Sequence, residues 1–239
     1  MIGYLRLEVR RTLRDVGFMI GGVVMPVVMY LLFTNLGGGA DSDWKTASMI
    51  GMAAYGAMGS ALNTGGGVAE DRSTGWLRQL RITPMSPRQV VAGRALTGAV
   101  TVLPAIVAVL AAGGLVNGVR LDAWKWAVIA LSLWLGSVPF TLLGLGNGYR
   151  LTAQGTGVVN MVCNLTLAVV GGLWFPLVLF PGWLRSLSAY TPTNRFAQLG
   201  TAVADGRAPA PGAVLVLTGW LLVFGSYAVV SYRRTARTV

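Results

Sequence analysis

The sequence contains no histidine and a single cysteine, Cys163. Those absences exclude imidazole acid–base catalysis, His/Cys zinc sites and any disulfide within the chain. Charge is scarce too. Only 11% of the 239 residues are Asp, Glu, Lys or Arg, against about 25% in an ordinary soluble domain. Acidic residues are the rarer sign, 8 against 19 basic ones, and none lies inside a long apolar run. A proton or cation relay built on membrane carboxylates is therefore poorly supported. Lysine occurs only as Lys45 and Lys125, each directly after a tryptophan. A GxxxxGK[ST] phosphate loop cannot be written with either, so the sequence carries no standard ATPase of its own. With no histidine and no paired carboxylates in the apolar runs, no catalytic constellation stands out.

What the chain has is apolarity: 54% hydrophobic residues and a mean hydropathy of +0.63. Charge-free runs cover 16–40, 46–69, 95–119, 126–149, 151–184 and 208–232. A helical crossing needs about 20 such residues. Backbone groups in lipid must be satisfied internally, which favours helices, and the runs lack the alternation of a barrel strand. The expected fold is an all-α membrane protein with one transmembrane domain over 1–239. Six spans are placed at about 17–36, 47–67, 95–116, 126–147, 156–175 and 212–232. A loop at 68–94 is the largest between spans.

Six spans put both termini on one side. That side receives Arg6, Arg10, Arg11, Arg14, Arg72, Arg78, Arg81, Arg88, Arg94, Arg150, Arg233, Arg234 and Arg237. These 13 basic residues face Glu8, Asp15, Glu70 and Asp71, a balance of +9; the opposite side has six basic and four acidic residues, +2. Positive residues mark the cytoplasmic face, so both termini are expected there. The net charge of +11 is accounted for by orientation, and nucleic acid is not an expected partner. The first apolar run exceeds the 7–15 residues of a secretory h-region and five more follow, so it is expected to be retained. Upstream, Ile2, Leu5, Val9, Leu13 and Val16 recur at helical spacing among arginines. This predicts an interfacial amphipathic helix over 1–16 in contact with membrane lipid.

Two spans carry a pattern beyond hydrophobicity. Gly51, Tyr55, Gly59, Asn63 and Gly67 lie four residues apart on the second; Thr156, Gly157, Asn160, Asn164, Ala168 and Gly171 make a similar stripe on the fifth. Small residues permit close helix approach, and amides hydrogen-bond across helices. Such stripes serve either ordinary helix packing or a translocation pathway and subunit seam. Cys163 beside them reads as packing. Pro26, Pro104 and Pro139 lie inside spans and predict kinks. The fifth run is too long for one straight crossing. It is read as a span to about Phe175 followed by a re-entrant or interfacial segment at 176–189, with Trp174, Trp183 and Tyr190 at interface depth; one long tilted helix is the alternative.

The loop at 68–94 mixes arginines with Trp76, Leu77 and Leu80. Ser73 or Thr74 stands where it would cap a short helix from about Gly75 to Ile82, ending before Pro84. Its apolar residues fit a surface covered by another protein, in the manner of a helix in a groove; a solvated, lipid-facing loop is the alternative.

These residues together resemble the permease subunits of ABC-type-two exporters. The first set is Glu70, Gly75, Leu80, Thr83 and Pro84, with Arg94 opening the third span. The second is Gly171-Gly172, Phe175-Pro176, Pro181-Gly182-Trp183-Leu184 and Pro192-Thr193. Phe180 stands where the family often has Leu. The resemblance extends over nearly the whole chain and implies a mechanism. Two permeases pair, as a homodimer or with a paralogue, over two cytosolic ABC ATPase subunits. Those subunits bind the ATP and Mg, and this chain needs no cofactor or metal. Glu70, Arg72, Gly75, Trp76, Leu77, Leu80, Arg81 and Pro84 become the ATPase-coupling set, on a coupling helix in the loop 68–94. Tyr55, Gly59, Asn63, Asn160, Asn164 and Gly171 become the pathway or dimer seam. Phe175, Pro176, Pro181 and Trp183 become an extracellular gate.

The uncharged seam favours a hydrophobic or amphipathic cargo: a drug, a lipid or a peptide antibiotic. The alternatives are a polysaccharide or lipid-linked glycan exporter, and a non-transporting scaffold or immunity protein. Abundant Gly and Arg beside scarce Lys fit a GC-rich bacterial genome, so the expected location is a bacterial cell membrane.

Overall fold

The computed structural model describes residues 14–35, 41–74 and 87–237, and these form helices and short connections with no strand among them. The interfacial helix expected over 1–16 lies almost wholly outside the described residues, and the expected coupling helix from about Gly75 to Ile82 lies entirely outside them.

Helix α1 (Val16–Asn35) starts at Asp15, whose carboxylate accepts the Phe18 amide at 3.0 Å. Pro26 has no amide hydrogen to give the turn before it. That turn, Ile20–Val24, widens into π-helix, the form the expected kink takes. Helix α2 (Ser42–Ser73) is capped by Asp41 and runs 32 residues, about 48 Å, beyond both ends of the expected span. Helix α3 (Pro87–Leu115) also starts early and continues unbroken through Pro104. The fourth span is two helices, α4 (Ala123–Gly136) and α5 (Val138–Arg150). Pro139 stands at the second position of α5, where a missing amide costs nothing, so it starts a helix here and does not kink one. Helix α6 (Ala153–Val170) is capped by Thr152. It ends at Val170, short of the expected Phe175. A 3₁₀ turn (Leu177–Leu179), α7 (Gly182–Ser188), α8 (Pro192–Ala204) and α9 (Pro211–Arg237) follow.

Five stretches are long and apolar enough to cross a membrane: Val16–Asn35, Leu96–Leu115, Ala123–Arg150, Ala153–Val170 and Pro211–Thr235. Helix α2 is long enough but not apolar enough, because its middle is Gly, Ala, Ser, Thr and Asn. The reason is its position. It lies at the centre, against α1, α3, α5, α6 and α8, and every residue from Ser48 to Met58 is buried. A helix surrounded by protein meets no lipid and requires no aliphatic coat.

Contacts fix the directions. Gly22 faces Ser60 and Pro26 faces Gly56; Gly98 faces Thr64 and Gly113 faces Met49. Helices α1 and α3 therefore run antiparallel to α2. Leu62 and Gly65 meet Gly144 and Gly148 in ascending order, so α5 runs parallel to it. Tyr30, Met49, Met52, Met58, Ile106, Leu133, Phe140 and Phe196 fill the core. The outward faces are apolar: Val158, Met161, Val162 and Leu165 on α6, and Leu215, Leu222, Val223 and Val230 on α9, are exposed. This inside-out pattern suits a lipid surrounding, where helices associate through close packing and interhelical hydrogen bonds.

Candidate functional site

The closest helix approach lies between α2 and α5. A β-carbon on Gly65 would fall 1.8 Å from the Gly144 carbonyl oxygen, and one on Gly148 would fall 2.1 Å from that of Gly65. Only glycine lets these backbones touch. On the other side of α5, a β-carbon on Gly146 would meet the Tyr227 ring at 2.4 Å. Helix α5 is thus held between α2 and α9. The Asn147 amide between them donates to Asn160 Oδ1 at 2.8 Å and accepts from the Tyr227 hydroxyl at 3.0 Å. Asn160 in turn donates to the Leu62 carbonyl at 2.8 Å. Asn147 and Tyr227 were not anticipated from sequence. Each is one of several polar residues scattered along its run, and nothing in either run links the two.

The two sequence stripes meet within one chain. Asn164 lies over Gly59, its amide nitrogen 3.2 Å from where a β-carbon would stand, and the Leu173 carbonyl lies over Gly51. The Tyr55 ring meets Trp174 edge-on at 5.3 Å between centroids. Asn164 Oδ1 and Trp174 Nε1 are buried without a hydrogen-bond partner. Asn63 does not join this contact: it is exposed, one turn beyond Gly59. The α2–α6 face is therefore small, uncharged and mildly polar. Among the described residues it holds no nucleophile–base pair and no cluster of titratable groups.

At the far end of α2 stand Ser73 and Thr74; the helix that either is expected to cap lies outside the described residues. Both hydroxyls point back to the Glu70 carbonyl, at 2.7 and 3.1 Å, and end α2. Glu70 is exposed. Arg72 turns inward. Its Nη1 lies 2.9, 2.6 and 3.3 Å from the carbonyl oxygens of Gly148, Tyr149 and Leu151. These are the orphan acceptors at the negative end of α5. Thr235 of α9 donates to the same Tyr149 oxygen at 2.7 Å, and the Tyr149 and Tyr232 rings meet edge-on at 5.3 Å. Gly75, Trp76, Leu77, Leu80, Arg81 and Pro84 lie outside the described residues.

At the opposite end, Gly171 stops α6 and is buried, with Gly172 in the left-handed region at φ 69°. The chain runs out through Phe175, whose ring meets that of Phe33 at a tilt with centroids 5.8 Å apart, and through α7. There Trp183 and Tyr190 are 69% and 70% exposed; Pro181 is exposed and Pro176 half-buried. It then returns beside its own exit. Thr193 donates to the Leu167 carbonyl at 2.7 Å, and Asn194 to the Gly171 carbonyl at 3.3 Å. The start of α8 is buried at Pro192, Thr193 and Asn194, whereas most of 176–189 is exposed or half-buried. From there α8 packs Phe196 against Phe140, ring centroids 5.4 Å apart, and Gly200 against Ile50. Its last turn is capped by Lys125 through the Ala204 carbonyl at 3.1 Å.

A bundle of long apolar helices whose outward faces are also apolar defines a multi-pass membrane protein. The ABC-2 type transporter family model matches residues 4–199, and the chain belongs to that family. It is 25% identical over 221 residues to "Putative transport permease YvfS" of Bacillus subtilis (strain 168), covering 91% of this chain and 90% of that protein. Permeases of this family are transmembrane transport subunits, not enzymes, and work with a separate ABC ATPase subunit.

Proposed function

We propose that this chain is the permease subunit of an ATP-driven exporter of a hydrophobic or amphipathic cargo such as a drug, lipid or peptide antibiotic. Six crossings, with α2 as the second, place both termini in the cytoplasm of a bacterial cell. Two permeases, identical or paralogous, stand over two ATPase subunits that hold the ATP and Mg. The observation that carries this reading is the α2–α6 face. It is uncharged along its length and lined by small residues, and α6 is bare on its other side. A charged cargo would find no counter-ion there, whereas an amphipathic one meets Tyr55, Asn164 and Trp174. The segment containing Trp76 and Leu80 would dock on the ATPase as a coupling helix, and the stretch with Phe175, Pro176, Pro181 and Trp183 would close the outer end.

Purification of the chain from its own cells tests this. An ABC ATPase is expected to co-purify and to hydrolyse ATP in the complex, and Trp76→Ala with Leu80→Ala is expected to weaken that association. Inverted vesicles should accumulate an amphipathic fluorescent dye on ATP addition. A chain that binds no ATPase and stimulates none would make it a scaffold or immunity protein. ATP-dependent uptake of a lipid-linked glycan in place of the dye would move it to the glycan exporters.

A further inference from the structure

We infer that Arg72 is a tie between the ATPase-contacting loop and the α5–α6 turn, so that loop displacement is delivered to the start of α6 through this guanidinium, alongside the α2–α5 and α2–α6 packing. The inference rests on the exporter reading of the loop. Arg72 belongs to the last turn of α2, three residues before Gly75. Its head group lies on carbonyls from both sides of the α5 terminus: Gly148 and Tyr149 within the helix, Leu151 just beyond it. Leu151 is followed by Thr152, whose hydroxyl accepts the Gly155 amide at 3.2 Å and starts α6. Pulling on the loop therefore pulls on the first turn of α6.

Three features make this a tie and not an ordinary surface cap. One terminal nitrogen of the Arg72 guanidinium, Nη1, reaches all three carbonyls, and the guanidinium, unlike an ammonium, stays charged when partly buried. The acceptors are the terminal carbonyls of a helix, where positive charge is favoured. Tyr149 is also held by Thr235 of α9, so the α5 end is anchored against sliding. In this arrangement Arg72 acts without touching the ATPase: it is a positioning residue.

The test uses the chain with its co-purified ATPase, carrying Cys163→Ser, with nitroxide pairs read by double electron–electron resonance. Ser73→Cys with Gln154→Cys spans the tie; both positions are exposed. Val16→Cys with Gln154→Cys reports the start of α6 against α1. The first pair should give one narrow distance that ATP plus vanadate leaves in place. Arg72→Gln should broaden it at least twofold, and Arg72→Lys should fall between. The second pair should shift with ATP plus vanadate, and Arg72→Gln should cut that shift by more than half. A first-pair distance that moves with nucleotide, or stays narrow in Arg72→Gln, overturns the tie; so does a second-pair shift of equal size in both proteins. If the second pair never responds in the unsubstituted protein, the exporter reading fails, while the nucleotide-free width of the first pair still decides whether Arg72 holds the turn. Should Arg72→Gln not fold, Arg72→Lys, which keeps the charge, carries the same comparisons.

Discussion

Asn160 donates its side-chain amide to the backbone carbonyl of Leu62 at 2.8 Å, joining α6 to α2 inside one copy of the chain. The next residue along α2, Asn63, is exposed. Two asparagines with one appearance in sequence therefore stand in different surroundings, and they separate experimentally. Asn160→Leu deprives Asn147 and the Leu62 carbonyl of a partner. Interhelical hydrogen bonds in membranes are worth about 0.6–2 kcal/mol, so this variant should lower the thermal unfolding midpoint in detergent. Asn63→Leu should leave that midpoint in place and change ATP-driven dye uptake. Equal destabilisation by both would remove the distinction.

The α2–α5 contact should tolerate no added atom. A β-carbon on Gly144 would lie 2.3 Å from the Leu62 carbonyl oxygen, so Gly144→Ala must push two backbones apart. Overpacking of this kind costs about 1–3 kcal/mol. Gly157 on α6 has nothing within 4 Å of its β position, and Gly157→Ala should gain about 0.5–1 kcal/mol from helix propensity. Opposite signs in thermal unfolding are the expected result.

The bare side of α6 should meet a second permease. In a Cys163→Ser background, single cysteines at Val158, Met161, Val162 and Leu165 should yield an oxidised dimer in native membranes at one or more of these positions. Leu222→Cys on α9 should remain monomeric. Monomer at all four α6 positions would assign this face to lipid.

The outer excursion should loosen when its inner anchor is cut. Thr193→Val removes the bond to Leu167. A lost hydrogen bond costs about 1 kcal/mol, and amide exchange across 174–190 should quicken about fivefold. Exchange confined to its original rate would mean that Asn194 and the Phe196 packing hold the excursion alone.

Charge-free length located the long helices well because exclusion of charge from lipid is the strongest constraint in the chain. It failed where that constraint does not act. Helix α8 carries Arg195 in its first turns and stops at Asp205, so it forms no long charge-free run; its signs are a Thr191 cap, Pro192 in the first turn, and Phe196, Gly200 and Val203 on one face. Pro139 was read as a kink because a proline inside a continuous run gives no hint that one helix ends at Gly136 and another begins at Val138. By sequence position Arg72 belongs with the loop that follows it. Its true partners, Gly148, Tyr149 and Leu151, are distant in sequence and are backbone groups that no side-chain pattern announces. The small-residue stripes are visible in the sequence. That they meet each other, α2 against α6, follows only from the packing.

Helix α2 carries a consequence for how the protein is made. In the six-span reading it leaves the ribosome second, before α3, α5 and α6 exist to surround it. Its glycines, alanines and hydroxyl residues gain little from hydrocarbon, and its amide Asn63 loses. Emerging alone, it has a weak claim on the bilayer and a strong one on its later neighbours. The order in which helices settle in the membrane then differs from the order in which they are synthesised, with the central helix committing only when α3 and α5 arrive to enclose it.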